Sequence, residues 1–283
     1  MRKTLLATSL LAALAAPAVS NAQTAPAADK PAAAPEEKSP HTITGNVGLF
    51  SSYRFRGIDQ TFGKAAIQGG IDYSHASGFY AGNWNSNVNE GAGYPGGNIE
   101  MDFYGGWKNA WGDWGLDLGA IYYYYPGTNA GVGILGSPFN NRTLNTATGS
   151  VDNTELYIGG SWKFLSLKYN HSVGDYFSTP GTKNSSYLDL GATHDLGDGW
   201  GLNGHIGHLN FKNMTNGSYT DWKLGVTKDI AGWVLAASYV DTNAKGDCNP
   251  TAVNQVYCFP NSSGTKAKDA GRSALVVSVS KTF

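Results

Sequence analysis

The sequence predicts an all-β protein: a closed antiparallel transmembrane β-barrel of about 12 strands, with short turns at one end and long loops at the other. Three observations lead to this prediction. Apolar and polar residues alternate along repeated segments, the connections between segments differ systematically in length, and the chain is rich in glycine and aromatic residues. A membrane barrel turns one parity of each strand to lipid and the other to its lumen.

The N-terminal residues 1–22 are predicted to be a cleaved signal peptide. Arg2 and Lys3 supply a positive start, an apolar stretch of mostly leucine and alanine follows, and the small residues Ser20 and Ala22 are typical of a cleavage site. The apolar stretch is too short for a transmembrane anchor. A signal peptide directs the chain to the cell envelope.

Residues 23–41 are rich in alanine and proline and contain no aromatic residue, which predicts a flexible periplasmic linker. Residues 42–283 are left for the barrel. The full chain contains 38 glycines, 16 tyrosines and 8 tryptophans, and only 14% of its residues are charged. Soluble enzymes rarely have this composition. A net charge of −1 gives no support to a nucleic-acid partner.

Alternation with a period of two residues is clearest where Ile99, Met101 and Phe103 interleave with Glu100 and Asp102. Such alternation is typical of a barrel strand. Comparable segments give twelve candidate strands, an even number as in bacterial single-chain barrels: 42–56, 65–75, 79–88, 99–108, 114–124, 155–164, 165–172, 187–194, 200–210, 219–228, 233–240 and 273–283.

The connections provide an independent test. Joints after even-numbered strands are tight, and most carry glycine or polar residues: 75–78, 109–113, 196–199 and 229–232. The joint near Phe164 and Leu165 lacks glycine, so the register there is open. Joints after odd-numbered strands are longer, above all 126–153 and 241–272. With the linker in the periplasm, the tight joints are periplasmic turns and the long ones are outer loops.

Tryptophans are predicted to form a girdle at the membrane interface on the side of the tight turns. Packing in the core of a soluble β-sandwich is the alternative, and it is less consistent with their gathering at one end of the strands. The tryptophans beside predicted turns are Trp107, Trp111, Trp114, Trp162, Trp200 and Trp233.

Motifs early in the chain resemble the TorF porin family. They are Gly-Leu-Phe-Ser-Ser-Tyr-Arg-Phe-Arg-Gly-Ile-Asp-Gln-Thr at 48–61, Ala-Ile-Gln-Gly-Gly-Ile-Asp-Tyr at 66–73, Ser-Gly-Phe-Tyr-Ala-Gly at 77–82, and Trp84 with 86–88. The resemblance implies a porin-like barrel in the outer membrane of a Gram-negative bacterium. It implies neither a defined solute nor catalytic residues.

Charged residues of the lumen-facing parity are predicted to line a pore, where they would set ion preference. Arg54 and Arg56 are expected on one face near the outer end of the first strand. The full predicted set is Arg54, Arg56, Asp72, Glu100, Asp102, Asp117, Glu155 and Lys223. This predicts a channel for passive diffusion of small hydrophilic solutes or ions. The same charges are also compatible with pairing that closes the lumen.

Two other functions remain open from the sequence. A closed structural or adhesive barrel would use its long loops, 126–153 and 241–272, to bind external partners. An outer-membrane hydrolase would need a serine, a histidine and an acid from scattered strands, and no Gly-x-Ser-x-Gly motif is present. We expect that the protein is not an enzyme. Loop 126–153 is predicted either to narrow the pore or to cover the outer surface.

Cys248 and Cys258 are the only two cysteines, and both lie in the last long loop. In an oxidising envelope they are predicted to form a disulfide. His205 and His208, the closest histidine pair in sequence, point to opposite faces of a strand and do not share a metal. No metal or cofactor is predicted.

The last segment ends in Phe283, which resembles the terminal aromatic signal read by the barrel-assembly machinery. Lys281 departs from the apolar residue usual at its position. The other partners predicted are outer-membrane lipid and small solutes. The oligomeric state is not determined by these residues.

Overall fold

A computed structural model describes residues 39–89, 97–134, 142–144, 147–249, 251–252, 254–261, 263 and 265–283. It shows a closed antiparallel barrel of twelve strands, which confirms the predicted fold class. The predicted signal peptide and most of the predicted linker lie outside the described residues. The barrel strands are β1 (His41–Phe50), β2 (Ala66–His75), β3 (Phe79–Asn87), β4 (Ile99–Trp111), β5 (Trp114–Tyr125), β6 (Val151–Trp162), β7 (Leu165–Ser172), β8 (Ser186–Gly197), β9 (Trp200–Asn210), β10 (Tyr219–Ile230), β11 (Trp233–Thr242) and β12 (Ala274–Thr282).

Each strand pairs with its neighbours in chain order, and β12 pairs with β1 to close the barrel. The closing register runs from Asn46 opposite Thr282 to Phe50 opposite Ser278. Closure leaves no edge strand with unpaired backbone groups, which is the condition for a sheet in a membrane.

Alternate residues along each strand face the lumen and the outside of the barrel, as the sequence predicts. On β6 the inward Glu155 is 0% exposed, whereas Leu156 and Ile158 on the outward parity are 52% and 51% exposed. Apolar side chains that a soluble protein would bury therefore cover the outside of the barrel. No helix among the described residues is long and apolar enough to cross a membrane.

The connections fall into two classes at opposite ends of the barrel. Two- or three-residue turns follow the even-numbered strands at what we call the turn end. Longer connections follow the odd-numbered strands at the loop end, among them loop 1 (51–65), loop 4 (173–185) and loop 6 (243–273). Trp162 pairs with Leu165 around a two-residue turn, which settles the register left open by the sequence.

Tryptophans ring the turn end, where the sequence placed them. Trp111 and Trp114 are 55% and 63% exposed, and the Trp114 and Trp162 rings lie 6.0 Å apart. Tyr122 and Tyr124 stack on the outer face near the loop end, with ring centroids 6.0 Å apart. Aromatic rings at both rims of an apolar belt are typical of a barrel in a bilayer.

The predicted first strand, 42–56, is wrong at its C-terminal end. The wall strand stops at Phe50, and loop 1 then forms its own hairpin, in which Arg54–Phe55 pairs with Ile58–Asp59. The alternation continues past Phe50, but the chain reverses at Arg56 and Gly57, whose φ angles are 48° and 79°. Arg54 and Arg56 therefore belong to loop 1 and not to the barrel wall.

Candidate functional site

Loop 1 folds into the barrel and fills the lumen at the loop end. Its residues Tyr53, Ile58 and Thr61 are 8%, 4% and 1% exposed. Two apolar clusters enclose it. The first cluster contains Tyr53, Ala66, Trp84, Val88, Tyr123, Tyr125, Ala130 and Val151, and the second contains Ile58, Tyr176, Tyr187, Leu209, Phe211, Tyr219, Tyr257 and Ala270.

A buried ion pair joins loop 1 to β6. The Arg56 guanidinium donates two hydrogen bonds to the Glu155 carboxylate, with Nη1–Oε1 and Nη2–Oε2 distances of 3.0 and 2.7 Å. Their side chains are 4% and 1% exposed. Asn153 also donates to Glu155, at 3.2 Å. A bidentate guanidinium–carboxylate contact fixes both position and orientation, so it holds loop 1 against the wall.

The other contacts of Arg56 come from aromatic side chains. Nη1 donates to the Tyr176 hydroxyl at 3.0 Å, and the guanidinium carbon lies 4.3 Å from the centroid of the Tyr187 ring. The Tyr219 hydroxyl donates to the Arg56 carbonyl oxygen at 2.9 Å. These residues lie in loop 4 and on β8 and β10, so loop 1 reaches walls well away from the strands that it connects.

The charge state of this contact follows from its surroundings. Burial is the largest single effect and acts against the charged guanidinium, but Glu155, Tyr176 and Tyr123 together outweigh it and hold the pKa of Arg56 well above its usual range. Burial raises the pKa of Tyr176 to about 12. At neutral pH a charged guanidinium therefore meets a neutral hydroxyl.

Gly57 allows the chain to pass close to the wall at β10 and β11. Its φ is 79°, and a Cβ atom there would overlap the Thr242 side chain and lie 2.8 Å from the Asp221 Cβ atom. A residue with a side chain would be strained in conformation and would also clash. The tight passage of loop 1 requires glycine here.

Arg54 anchors loop 1 to loop 6. Its Nη1 donates to the carbonyl oxygens of Ala270 and Arg272, both at 3.1 Å, and its Nη2 lies 3.7 Å from Asp59 Oδ2. Burial lowers the pKa of Arg54. The sequence placed Arg54 beside Arg56 on one face of a strand, whereas the two side chains have separate partners in the hairpin.

Acidic side chains accompany Glu155 at the level of loop 1. Glu100 and Asp102, adjacent on the inner face of β4, are 0% and 6% exposed. The Glu100 carboxylate lies beside the hydroxyls of Tyr53 and Tyr125. Three carboxyl groups and the Arg56 guanidinium thus share this layer.

Below loop 1, the polar side chains of the lumen pair along the wall. The Tyr104 hydroxyl donates to Asp72 at 2.5 Å, and the Tyr80 hydroxyl donates to Asp117 at 2.6 Å. Lys168 Nζ lies 3.7 Å from the centroid of the Tyr157 ring. The Tyr80 and Tyr157 hydroxyls also hydrogen-bond to each other, so these polar contacts connect the inner faces of β2 to β6.

A second group on the wall surrounds His205. Its Nδ1 lies 2.9 Å from Asp189 Oδ1, and its Nε2 lies 3.7 Å from Asp221 Oδ1. Tyr187 donates to Asp221 at 2.9 Å. Because both ring nitrogens face carboxylates, His205 has no nitrogen directed at a serine.

The exposure of inward side chains rises from the loop end to the turn end. Near loop 1, Gln68, Ser86 and Asn153 are 5%, 2% and 2% exposed. Towards the turns the inner wall carries small polar residues that are all partly exposed: Ser74, Ser161, Ser166, Thr227, Ser238, Ser278 and Ser280. The small polar side chains near the turn end are therefore more accessible to solvent than the inward side chains packed against loop 1.

The structure places six of the eight predicted pore-lining residues on the inner wall: Asp72, Glu100, Asp102, Asp117, Glu155 and Lys223. Their role in a pore stays a prediction. The sequence-based selection omitted Lys168, Asp189 and Asp221, which also face inward. The alternation of apolar and polar residues along their own strands would have identified them as facing inward.

Loop 6 contains the predicted disulfide between Cys248 and Cys258. A short hairpin, Cys258–Pro260 with Ala267–Asp269, follows it. The prediction for loop 126–153 lies partly outside the described residues; of its described part, Ala130 and Val151 pack into the first cluster. Loop 1, and not this loop, carries the buried ion pair.

The structure brings together two histidines that the sequence treated as scattered. His41 and His75 are directly opposite in the pairing of β1 and β2, and their ring centroids lie 5.0 Å apart. Across the described ranges, no group of three or more histidine, cysteine or acidic side chains is arranged to hold a metal ion.

Comparison with solved structures finds similar barrels. One is the KdgM porin, with a TM-score of 0.46, 7% identity, and coverage of 85% of this chain and 97% of that one. Another is the NanC porin, with a TM-score of 0.46, 10% identity, and coverage of 86% and 99%. A third is an outer membrane channel from Pseudomonas putida F1, with a TM-score of 0.45, 11% identity, and coverage of 89% and 100%.

Identities this low do not transfer a function to this chain. No curated protein sequence matches it. A family model described as "Bacterial protein of unknown function (Gcw_chp)" matches residues 34–283, which is most of the chain. The chain belongs to the Gcw_chp family.

Proposed function

We propose that the protein is a porin-like channel of a bacterial outer membrane, closed at the loop end by loop 1 in the state described here. The observation that carries this proposal is the exposure gradient of the inner wall. Small polar side chains are accessible from the turn end, and the path ends at the Arg56–Glu155 pair.

The outer face and the chain's beginning support the membrane location. A closed barrel with an apolar outer belt and aromatic rims meets the physical conditions for spanning a bilayer. The proposed signal peptide (1–22) and linker (23–41) place the turn end in the periplasm and the loops outside. Phe283, 70% exposed at the end of the last strand, is available to the assembly machinery.

The resemblance to the TorF porin family adds support at the closure itself. The motif at 48–61 covers most of loop 1 and includes Arg56, Gly57 and Asp59. The longest of the motifs that resemble that family therefore lies mostly in the loop that enters the lumen.

The charges on the inner wall favour cations as the permeating species. Over its whole height the inner wall carries more carboxyl groups than cationic side chains: Asp72, Glu100, Asp102, Asp117, Glu155, Asp189 and Asp221, against Lys108, Lys168, Lys223 and Arg56 of loop 1. Rings of acidic side chains favour cations in a pore. We propose passive diffusion of small hydrophilic solutes or ions, with cations preferred.

Planar-bilayer recording tests this proposal. We expect few openings from the intact protein, and frequent steps when residues 52–64 are replaced by a short glycine–serine link. In a KCl gradient, the reversal potential of these steps should have the sign of K⁺ preference. A correctly folded barrel that lacks steps in both forms would contradict the channel.

A closed structural or adhesive barrel is the second candidate. It is favoured by the packing of the loop end, where both apolar clusters and loop 6 form one continuous layer over the lumen. Absence of conductance in both forms above, together with retained binding to cells or surfaces, would support it. His205 gives no support to a hydrolase, since both of its ring nitrogens face carboxyl groups.

A further inference from the structure

Three asparagines form a polar strip on the outer face of β3. Asn83, Asn85 and Asn87 share the outward parity with Phe79, which is 62% exposed. Because these three outward residues are polar, the alternation of apolar and polar residues along this strand is weak in the sequence. The neighbours of the three asparagines on β2 and β4 are glycine or apolar residues: Ile67, Gly69, Ile71, Ile99, Met101 and Phe103.

Other outward polar side chains in the described part of the barrel lie near the rims. They include Asn109, His194, Lys228 and Lys281 at the turn end, and Asp152, His171, His208 and Thr220 at the loop end. At the rims such groups contact water and lipid headgroups. Asn83 is the central residue of its strand and Asn85 lies two residues from its loop end, and the outward residues beside them on β2 and β4 are apolar or glycine, so lipid tails surround them.

The strip is only partly satisfied by its own barrel. Asn83 Nδ2 donates to the Asp102 carbonyl oxygen at 3.0 Å, and Asn85 Nδ2 donates to Asn83 Oδ1 at 2.6 Å. Within the described ranges, no hydrogen bond reaches Asn85 Oδ1. A carboxamide oxygen without a partner in hydrocarbon costs free energy, so a protein surface there is favoured over lipid.

We propose that this strip is the contact between two copies of the chain in the membrane. A side-chain amide both donates and accepts, so the strip is complementary to itself. Lipid tails offer it no partner. The small outward residues Gly69, Ala81 and Gly105 flank the strip and allow a second backbone to approach closely, as small residues do at contacts between membrane segments.

The geometry of a barrel locates the centre of the contact. Two copies inserted in the same direction are related by a two-fold axis along the membrane normal. Strands tilt by roughly 35–45° from the barrel axis, so the two β3 strands cross instead of running side by side. Only the residue at the crossing meets its own counterpart, and Asn85, with its unused oxygen, is that residue.

This inference rests on the proposed membrane location, and it is independent of whether the lumen conducts. Resistance of the protein to carbonate extraction from membranes tests the location separately. Loss of that resistance would refute both the location and the dimer. A membrane-embedded protein that fails the tests below would refute the dimer alone.

Cysteine cross-linking tests the contact directly. The chain's own two cysteines are bonded to each other, so a single introduced thiol reports on the contact. We expect Asn85→Cys, oxidised with copper phenanthroline in proteoliposomes, to give a reducible species of twice the chain mass. Ile206→Cys is the matched control, since this outward residue on β9 is 51% exposed and lies on the opposite side of the barrel. Equal cross-linking of the two variants, or none at Asn85→Cys, would overturn the proposal.

A second variant pair removes the amides. Asn83→Leu with Asn85→Leu should leave a folded, heat-modifiable barrel that sediments in mild detergent with half the protein mass of the parent. A dimer that persists in this double variant would contradict the inference. If the double variant does not fold, the cross-linking experiment alone decides.

Discussion

Replacing Arg56 by alanine is predicted to open the barrel. The change removes the bidentate contact to Glu155, with distances of 3.0 and 2.7 Å, and the hydrogen bond to Tyr176 at 3.0 Å. Removing one partner of a buried ion pair costs about 3–5 kcal/mol, because the remaining charge is left buried. That charge, on Glu155, becomes hydrated only if loop 1 leaves the lumen.

The size of the effect follows from this free energy. Each 1.4 kcal/mol changes an equilibrium about tenfold, so the ratio of open to closed barrels should rise on the order of 10²- to 10³-fold. Single-channel recording in planar bilayers measures this ratio as open probability. Because its surroundings hold the pKa of Arg56 well above its usual range, the guanidinium keeps its charge as the pH rises, and the parent protein should remain closed from neutral pH to about pH 9.

Two controls separate the ion pair from general damage to loop 1. Lys64→Ala changes an exposed lysine in the same loop and should leave the open probability unchanged. The double variant Arg56→Ala with Glu155→Ala removes both charges. Its change in the free energy of opening should be smaller than the sum of the changes in the two single variants. An Arg56→Ala barrel that shifts normally on heating in gels, yet opens no more often than the parent, would refute the closing role of this pair.

Three further changes test other parts of the structure. Gly57→Ala should also raise the open probability, since its φ of 79° and the crowding by Asp221 exclude a Cβ; recordings that match the parent would contradict this. Cys258→Ser should destabilise the folded form of loop 6 by about 2–3 kcal/mol, as the chain-entropy model gives for a sequence separation of 10. We expect faster proteolysis within the loop and an unchanged melting temperature of the barrel. Ile158→Arg places a charge on the apolar outer belt and should lower the free energy of unfolding in lipid by about 2–4 kcal/mol, measured by urea titration in liposomes. Ser161→Arg, on the inner wall, should lower it little. Equal losses in the two variants would contradict the assignment of the two faces.

The wall of the barrel was predictable because its determinants are local. Alternation along a strand assigns each residue to one face, and a tight turn fixes the register of the next strand. The strand count, the two ends and the inward parity of Glu100 and Asp102 followed from these rules. The disulfide followed from two cysteines ten residues apart in one loop.

The candidate site was predictable only in part, for two physical reasons. Alternation does not distinguish a strand that continues in the wall from one that leaves it, so Arg54 and Arg56 were placed on the first strand. In the sequence of a single strand, an asparagine that faces lipid also cannot be distinguished from one that faces the lumen. Asn83 and Asn85 became conspicuous only beside the apolar residues of β2 and β4.

By itself, the sequence determined that this chain forms a twelve-stranded barrel with an apolar outside and a polar inside. Only the tertiary structure decided where loop 1 goes. Arg56 meets Glu155 across 99 positions of the chain, and Arg54 meets loop 6 across more than 200. Such contacts depend on the closure of the whole barrel, which brings distant strands around one lumen, and no local pattern encodes them. The closed loop end is therefore a property of the assembled barrel.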